Sequence, residues 1–168
     1  PDVITMAKAT TNGVVPMGVV AVKEEIYDTV MDASPKGAVE LFHGYTYSGI
    51  PVSVAAALAV QDIFEKEDIF KRSKEMSSYF LDGIFSLKDI DAIDNIRGYG
   101  MMAGIDMKLK EKPGRAGYEC FKACYDSGIN FKATGDCLII APQFICEKKH
   151  IDEIIEKLRT GISNYMKK

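Results

Sequence analysis

One lysine near the start of the chain interrupts an apolar run that is typical of a strand. Lys8 stands within VITMAKAT, and the turn signal TTNG follows it. Lysines ordinarily lie on the surface, so two interpretations stay open. Lys8 is either a solvated lysine at the end of a strand or a buried one. Burial disfavours the ammonium ion, and a neutral amine can attack a carbonyl to form a Schiff base.

A second candidate group lies in ELFHGYTYSGIP, residues 40–51, which has no helical period and many hydrogen-bonding side chains. Thr46 is either an ordinary loop threonine or a hydroxyl donor to a phosphate, together with nearby backbone N–H groups. We interpret His43, in the same stretch, as a satisfied loop histidine rather than a catalytic base.

Two further patterns are weaker indications of a functional site. Residues 98–103, GYGMMA, match the G-x-G-x-x-A form of a dinucleotide fingerprint, but that fingerprint must open a helix. Because the alternating sequence GIDMKLK follows, we interpret them as a glycine-rich entry into a strand. The four cysteines are expected to be reduced thiols, and two histidines offer little for a zinc site.

The composition argues against several classes of protein. The chain of 168 residues has a net charge of -3, which provides no basic surface for nucleic acid or anionic lipid. No signal peptide is visible, and the longest apolar run is too short to span a bilayer. We therefore expect a cytoplasmic protein that binds neither nucleic acid nor membrane.

The elements around the candidate residues follow from the apolar pattern. Residues 3–10 and 14–22 predict two buried strands of a parallel or mixed sheet, and KEEIYDTVMD predicts a short helix. From Val52 to Leu87 the spacing predicts one long helix, which bridges two domains or carries a bend. Its first half, SVAAALAV, is apolar all round and is expected to be packed on every side.

The remaining sequence predicts a small α/β unit. An alternating strand ends near Lys110, and a helix follows for which Gly128 suits the C-terminal cap. A hairpin is centred on Gly135, and an amphipathic helix ends the chain. These elements of the small α/β unit fall within residues 89–168.

Three segments, in this order, resemble one known family: PDVITMAKATTNGVVPMG, ELFHGYTYSGIPVSVAAALAVQDIFEKE and IRGYGMMAGIDM. They are similar to the class III aminotransferases, which are pyridoxal-phosphate enzymes of fold type I. The segment HGYTYSG most resembles the ω-amino acid:pyruvate branch, which includes β-alanine:pyruvate and taurine:pyruvate transaminases. The resemblance implies an α/β fold, namely the C-terminal part of a pyridoxal-phosphate-dependent transferase. The division it implies is 1–60, the end of the cofactor-binding large domain; 61–88, a bridging helix; and 89–168, the small α/β domain.

The resemblance also implies roles for particular residues. Lys8 matches the lysine that holds pyridoxal 5'-phosphate as a Schiff base and then shuttles a proton. Thr46 matches the threonine that reaches across a homodimer to the cofactor phosphate of the other subunit. Lys132 stands where many relatives carry a mobile arginine for the substrate carboxylate. It would bind acids more loosely, bind another anion such as a sulfonate, or be a surface lysine. Ile50 replaces a common histidine, and we expect little from that change.

The function implied by the resemblance is transamination between an ω-amino acid or amine donor and pyruvate. The alternatives are another class III activity, such as an aminomutase or a 4-aminobutyrate-type transaminase, or a non-catalytic dimerisation module. In the family, the aromatic group stacked on the cofactor ring, the acid at the pyridine nitrogen and most of the phosphate cup precede the position of Pro1. We therefore expect the chain alone to be inactive.

Overall fold

The computed structural model describes residues 1–38, 44–109 and 112–167, which form two compact units, Pro1–Glu67 and Asp68–Lys168. The first unit contains β1 (Val3–Ala7), β2 (Gly18–Val22), α1 (Glu24–Ala33) and α2 (Pro51–Lys66). The second contains α3 (Ile69–Phe85), a short 3-10 helix (Ser86–Asp89), β3 (Ile93–Tyr99), β4 (Met102–Met107), α4 (Arg115–Asp126), β5 (Lys132–Thr134), β6 (Cys137–Ile140) and α5 (Lys148–Met166). No helix among the described residues has the length and apolar character needed to cross a membrane.

The two strands of the first unit form an antiparallel hairpin, with Val3 opposite Val22 and Ala7 opposite Gly18. The prediction of buried strands in a parallel or mixed sheet is therefore wrong. Every residue of β1 is exposed, and β2 has no buried residue. A two-stranded sheet cannot cover its own faces, so its apolar side chains stay accessible unless another element packs on them.

Helix α2 begins at Pro51, a residue suited to the first turn because its missing N–H would have no partner there. The expectation that its apolar start is packed on every side is wrong. Of its sixteen residues only Ser53 and Val60 are buried, whereas Val52 and Leu58 are 61% and 63% exposed. The other elements of the first unit leave most of this helix uncovered, and α1 itself has no buried residue.

The single long helix predicted from Val52 to Leu87 is instead two helices. Helix α2 ends at Lys66 and α3 begins at Ile69. Between them Asp68 has φ 48°, in the left-handed region that breaks a right-handed helix. The break falls at the sequence boundary between the two compact units.

The second unit is built on a four-stranded antiparallel sheet of order β3-β4-β6-β5. One row of paired residues, Ile96, Ile105 and Leu138, is buried in a core shared with the three helices. The neighbouring row, Arg97, Gly104, Ile139 and Lys132, lies on the opposite face because side chains alternate along each strand. The predicted hairpin around Gly135 is confirmed.

Helices α4 and α5 approach each other closely at a glycine. A Cβ atom added to Gly161 would lie 2.6 Å from the Cα atom of Cys124. The predicted cap of α4 is also confirmed: Gly128 has φ +85°, and the Ile129 N–H donates to the Cys124 carbonyl at 3.2 Å. This left-handed cap turns the chain out of α4 towards β5.

Candidate functional site

Lys8 directly follows β1 and is exposed, so the interpretation of a buried lysine is wrong for the structure described. Its backbone has φ 58°, a left-handed conformation that costs a non-glycine residue roughly 1–2 kcal/mol. Within the part of the chain that the structure describes, no hydrogen bond or ion pair reaches the Lys8 Nζ. The side chain is therefore available, and its strained backbone must be held by the loop that follows.

That loop is closed by hydrogen bonds onto Lys8 itself. The Lys8 carbonyl accepts the N–H groups of Thr11 at 3.2 Å and of Gly13 at 3.0 Å. Asn12 and Gly13 both have positive φ, at 50° and 73°, as the TTNG turn signal requires. The Thr11 hydroxyl donates to the Val15 carbonyl at 2.6 Å, which brings the loop back towards β2.

Thr46 lies in a turn in which the Ser48 N–H donates to the Tyr45 carbonyl at 2.9 Å. Its side chain is exposed, and no hydrogen bond to its hydroxyl occurs among the described residues. His43 falls outside the residues that the structure describes. The turn leads into α2, whose Ser53 hydroxyl donates to the Pro16 carbonyl at 3.3 Å. This bond ties the helix that follows Thr46 to the loop that begins at Lys8.

Lys132 lies in the second unit, at the start of the edge strand β5, and is exposed. It shares a cross-strand row with Arg97, three strands away. The Arg97 guanidinium is bound to the Asp106 carboxylate and lies 3.5 Å from the Cys137 sulfur. Of these two cations on the outer face of the sheet, Arg97 is neutralised by an acid, whereas no partner of Lys132 is found in the described residues.

Sequence reasoning missed the Arg97–Asp106 pair. A Cβ on Gly104 would meet the Cys137 Sγ at 3.2 Å and the Arg97 Cζ at 3.4 Å, so the glycine gives the guanidinium room to cross β4. Arg97 also lines a groove of about 790 Å³, together with Gly104 and Ile139 of the same row. Only strand alternation could have signalled it, because alternation places both residues on the polar face.

Asp136 is a second residue that the sequence did not reveal. Its carboxylate accepts the N–H groups of Gly114 at 2.6 Å and of Gly117 at 3.3 Å, at the start of α4. A negative charge there satisfies donors that the helix leaves unpaired. Asp136 thereby fixes the β5–β6 hairpin, and with it Lys132, against α4.

The Arg97–Asp106 pair predicts a pH dependence of stability. The hydrogen bond from Arg97 is the largest of the effects that lower the pKa of Asp106. The lowered pKa contributes stability above the ordinary carboxyl pKa of about 3.9, and this contribution is lost as pH falls through the folded-state pKa. Asp106→Asn should lower the free energy of unfolding by about 0.5–1 kcal/mol at pH 7. The difference should shrink below about pH 4.

Urea denaturation at pH 7 and at pH 3.5 measures this difference, with Asp91→Asn as the control because Asp91 is an exposed acid of the same unit. An Asp106→Asn deficit of equal size at both pH values would contradict the assignment.

The glycine-rich stretch 98–103 is part of the β3–β4 hairpin, with Tyr99 paired to Met102, and it opens no helix. The interpretation of a glycine-rich entry into a strand is confirmed. The described residues contain no group of three or more His, Cys, Asp or Glu side chains placed to hold a metal ion. Cys120 and Cys124 are buried on one face of α4, and neither forms a disulfide.

Comparison with known proteins identifies the class to which this fold belongs. An (S)-enantioselective omega-transaminase from Thermomicrobium roseum superposes with a TM-score of 0.89 at 29% identity, over 99% of this chain and 38% of that one. The omega transaminase from Pseudomonas jessenii has a TM-score of 0.93 at 23% identity, over 99% of this chain and 38% of its own, which shows the fold alone. The fold is thus that of a part of a transaminase.

The sequence comparisons give the family. The aminotransferase class-III family matches residues 1–162. An omega-aminotransferase from Caulobacter vibrioides is 39% identical over 160 residues, 95% of this chain and 36% of the relative. A beta-alanine–pyruvate aminotransferase from Pseudomonas aeruginosa is 35% identical over 165 residues, 97% of this chain and 37% of the relative. The chain belongs to the class III aminotransferases, and it spans little more than a third of the length of these relatives.

Proposed function

We propose that this chain supplies the lysine-bearing part of a pyridoxal-phosphate-dependent aminotransferase, which transfers an amino group from an ω-amino acid or amine to pyruvate. The observation that carries the proposal is Lys8, an exposed amine on a constrained loop inside the family match. The names of the two relatives, omega-aminotransferase and beta-alanine–pyruvate aminotransferase, support the donor class and the acceptor.

The described residues fit this cofactor. Pyridoxal phosphate supplies an aldehyde that condenses with a primary amine with loss of water, and a ring that accepts the electron pair of a cleaved C–H bond. Lys8 provides a primary amine that has no described partner to be displaced. Thr46 provides an exposed hydroxyl that can donate to a phosphate oxygen. Neither role requires a buried charge.

Lys8 has two tasks in this proposal. Its Nζ first acts as the covalent anchor of the cofactor. When not bonded to the cofactor, the Nζ would be the base that moves a proton between the donor carbon that bears nitrogen and the cofactor carbon. A positioned base of this kind contributes about 10²–10⁴-fold to a rate. The fixed loop after Lys8 supports the second task, because proton transfer needs the amine at hydrogen-bond distance from both carbons.

Thr46 is proposed to act towards a second copy of the chain, by binding the cofactor phosphate of that copy in a homodimer. The support is its exposure in the turn that precedes α2, a helix that carries accessible apolar residues such as Val52 and Leu58. A cytoplasmic location stays a prediction from composition.

Lys132 is proposed to bind the carboxylate of the acidic substrate as a point charge. Lys132→Arg should then lower KM for pyruvate about tenfold, because an arginine adds a second charge-assisted hydrogen bond. Lys132→Ala should raise this KM, and both variants should leave KM for an amine donor without a carboxylate unchanged. Steady-state kinetics of the enzyme that contains this chain measure these values, with Lys71→Arg as an exposed control on α3. Unchanged KM for pyruvate in both Lys132 variants would make Lys132 a surface lysine.

The proposed function is tested by asking where pyridoxal phosphate attaches. The chain is incubated with the cofactor, scanned for a visible absorbance band, reduced with borohydride and digested for peptide mass spectrometry. The same series is run with the chain joined to the portion of the Caulobacter relative that it does not span. We expect the band and the reduced adduct at Lys8, strongest when the other portion is present, and neither in Lys8→Ala.

A band that persists in Lys8→Ala, or an adduct spread evenly over the lysines, would refute the proposed role of Lys8. Membership of the class III family would then indicate common ancestry, without the proposed chemistry at Lys8. The non-catalytic alternative, a dimerisation module, would gain support if light scattering of the same sample showed a stable dimer.

A further inference from the structure

We propose that Thr11 and Ser53 are positioning residues for Lys8. Their hydroxyls donate hydrogen bonds to two adjacent carbonyls of the loop that fixes the Lys8 backbone. In this way they determine the direction in which the Lys8 side chain projects from the backbone. The inference rests on the proposed function, because it concerns the placement of Lys8 towards the cofactor aldehyde.

These two side chains are set apart by their burial. Thr11 is 1% exposed and Ser53 is 7% exposed, whereas every other polar residue described in the first unit is more exposed as a whole residue. The first unit otherwise buries little: β1, β2 and α1 contain no buried residue. The two most buried polar residues of the unit therefore both form hydrogen bonds to one loop.

Both hydroxyls donate to consecutive residues of that loop. The Thr11 Oγ1 reaches the Val15 carbonyl at 2.6 Å, and the Ser53 Oγ reaches the Pro16 carbonyl at 3.3 Å. The first bond closes the loop on itself, and the second fastens it to α2. Both bonds are partly buried, so removing either hydroxyl loses a hydrogen bond worth about 1 kcal/mol and loosens the loop.

The same loop also forms hydrogen bonds to the backbone of Lys8. The Thr11 and Gly13 N–H groups donate to the Lys8 carbonyl, and Lys8 keeps its left-handed φ of 58°. No described partner fixes the Nζ, so the backbone alone sets the direction of the Cα–Cβ bond. Other groups hold the aldehyde carbon that the amine must reach. The amine reacts faster when the backbone that carries it is fixed, because less conformational entropy is then lost as the bond forms.

The chain offers a matched control one residue away. The Thr10 hydroxyl is buried and has no hydrogen-bond partner among the described residues. Thr10→Val and Thr11→Val are the same chemical change in the same loop, and only the second removes a hydrogen bond. Thr11→Ser keeps the hydroxyl and serves as the rescue.

Two measurements on the 168-residue chain test the inference. Hydrogen exchange of the Gly13 amide reports the bond to the Lys8 carbonyl without any cofactor. Borohydride trapping with pyridoxal phosphate gives the ratio of label on Lys8 to label on Lys36, an exposed lysine of the same unit. Thr11→Val should speed the exchange at least tenfold and lower the ratio at least threefold. Ser53→Ala should act in the same direction, whereas Thr10→Val and Thr11→Ser should match the wild type.

The outcomes separate this inference from the proposed function. If the wild type labels Lys8 selectively and Thr11→Val changes neither exchange nor ratio at an unchanged Tm, the positioning role is overturned and the proposed function stands. An equal effect of Thr10→Val would also overturn the role, since it would reflect general loosening of the loop. If the wild type shows no preference for Lys8, neither alone nor joined to the portion of the Caulobacter relative that it does not span, the proposed function fails, and the role of Thr11 and Ser53 towards the cofactor fails with it.

Discussion

Replacing Lys8 by alanine is expected to reduce the turnover of the enzyme that contains this chain by at least about 10³-fold. In the proposed function, the change would remove both the covalent anchor of the cofactor and the base that moves the proton, and the second task alone would be worth about 10²–10⁴-fold. Initial-rate kinetics with an amine donor and pyruvate measure the loss. Lys8→Arg should be equally inactive, because a guanidinium keeps the charge but stays protonated and cannot form a Schiff base.

Two controls separate this chemical role from a structural one. Lys36→Ala removes an exposed lysine of the same unit and should leave turnover unchanged. Added methylamine should restore part of the turnover to Lys8→Ala, since a free amine can enter the space of the missing side chain and move the proton. Turnover of Lys8→Ala within tenfold of the wild type would assign the chemistry to another residue.

The conformation of Lys8 could not be derived from the sequence, even though its identity as a candidate could. The motif around it marks a lysine in an unusual setting, but a left-handed φ at a lysine has no residue-type signal. The part of the loop that was predictable is the Asn12–Gly13 turn, because these residue types adopt positive φ most readily. The Thr11 and Ser53 hydrogen bonds depend on the tertiary position of Val15 and Pro16.

The structure of the second unit was predicted from the sequence more accurately than that of the first. Helix α4, the hairpin at Gly135 and helix α5 pack on one shared core, so their apolar periods report burial that the unit itself provides. In the first unit the apolar residues of β1 and α2 are exposed. Hydropathy shows what a segment is able to bury, but it does not show which element covers it. The break at Asp68 was also hidden, because no glycine or proline marks it.

Replacing Gly161 by alanine is expected to destabilise the second unit by about 1–3 kcal/mol, the usual cost of overpacking a core. The new Cβ would lie 2.6 Å from both the Cα and the Sγ of Cys124 on α4. A side chain can rotate away, but a Cα atom moves only with its helix, so α4 and α5 must separate. The gain in helix propensity, about 1 kcal/mol for glycine to alanine, does not offset this. For a unit of this size, each kcal/mol corresponds to a fall in Tm of roughly 4–8 °C.

Thermal unfolding followed by circular dichroism measures the effect, and Gly83→Ala is its matched control. Gly83 lies in α3 and also faces α5, but its added Cβ would meet the side-chain atoms of Ile155, at 3.0 Å and 3.3 Å, rather than backbone. Ile155 can change rotamer, so Gly83→Ala should change the free energy of unfolding by less than about 1 kcal/mol. Adding Cys124→Ala to Gly161→Ala should recover less than half of the loss, because the contact with the Cα atom remains. Full recovery in that double variant would locate the clash at the sulfur and show that the two helix backbones are free to adjust.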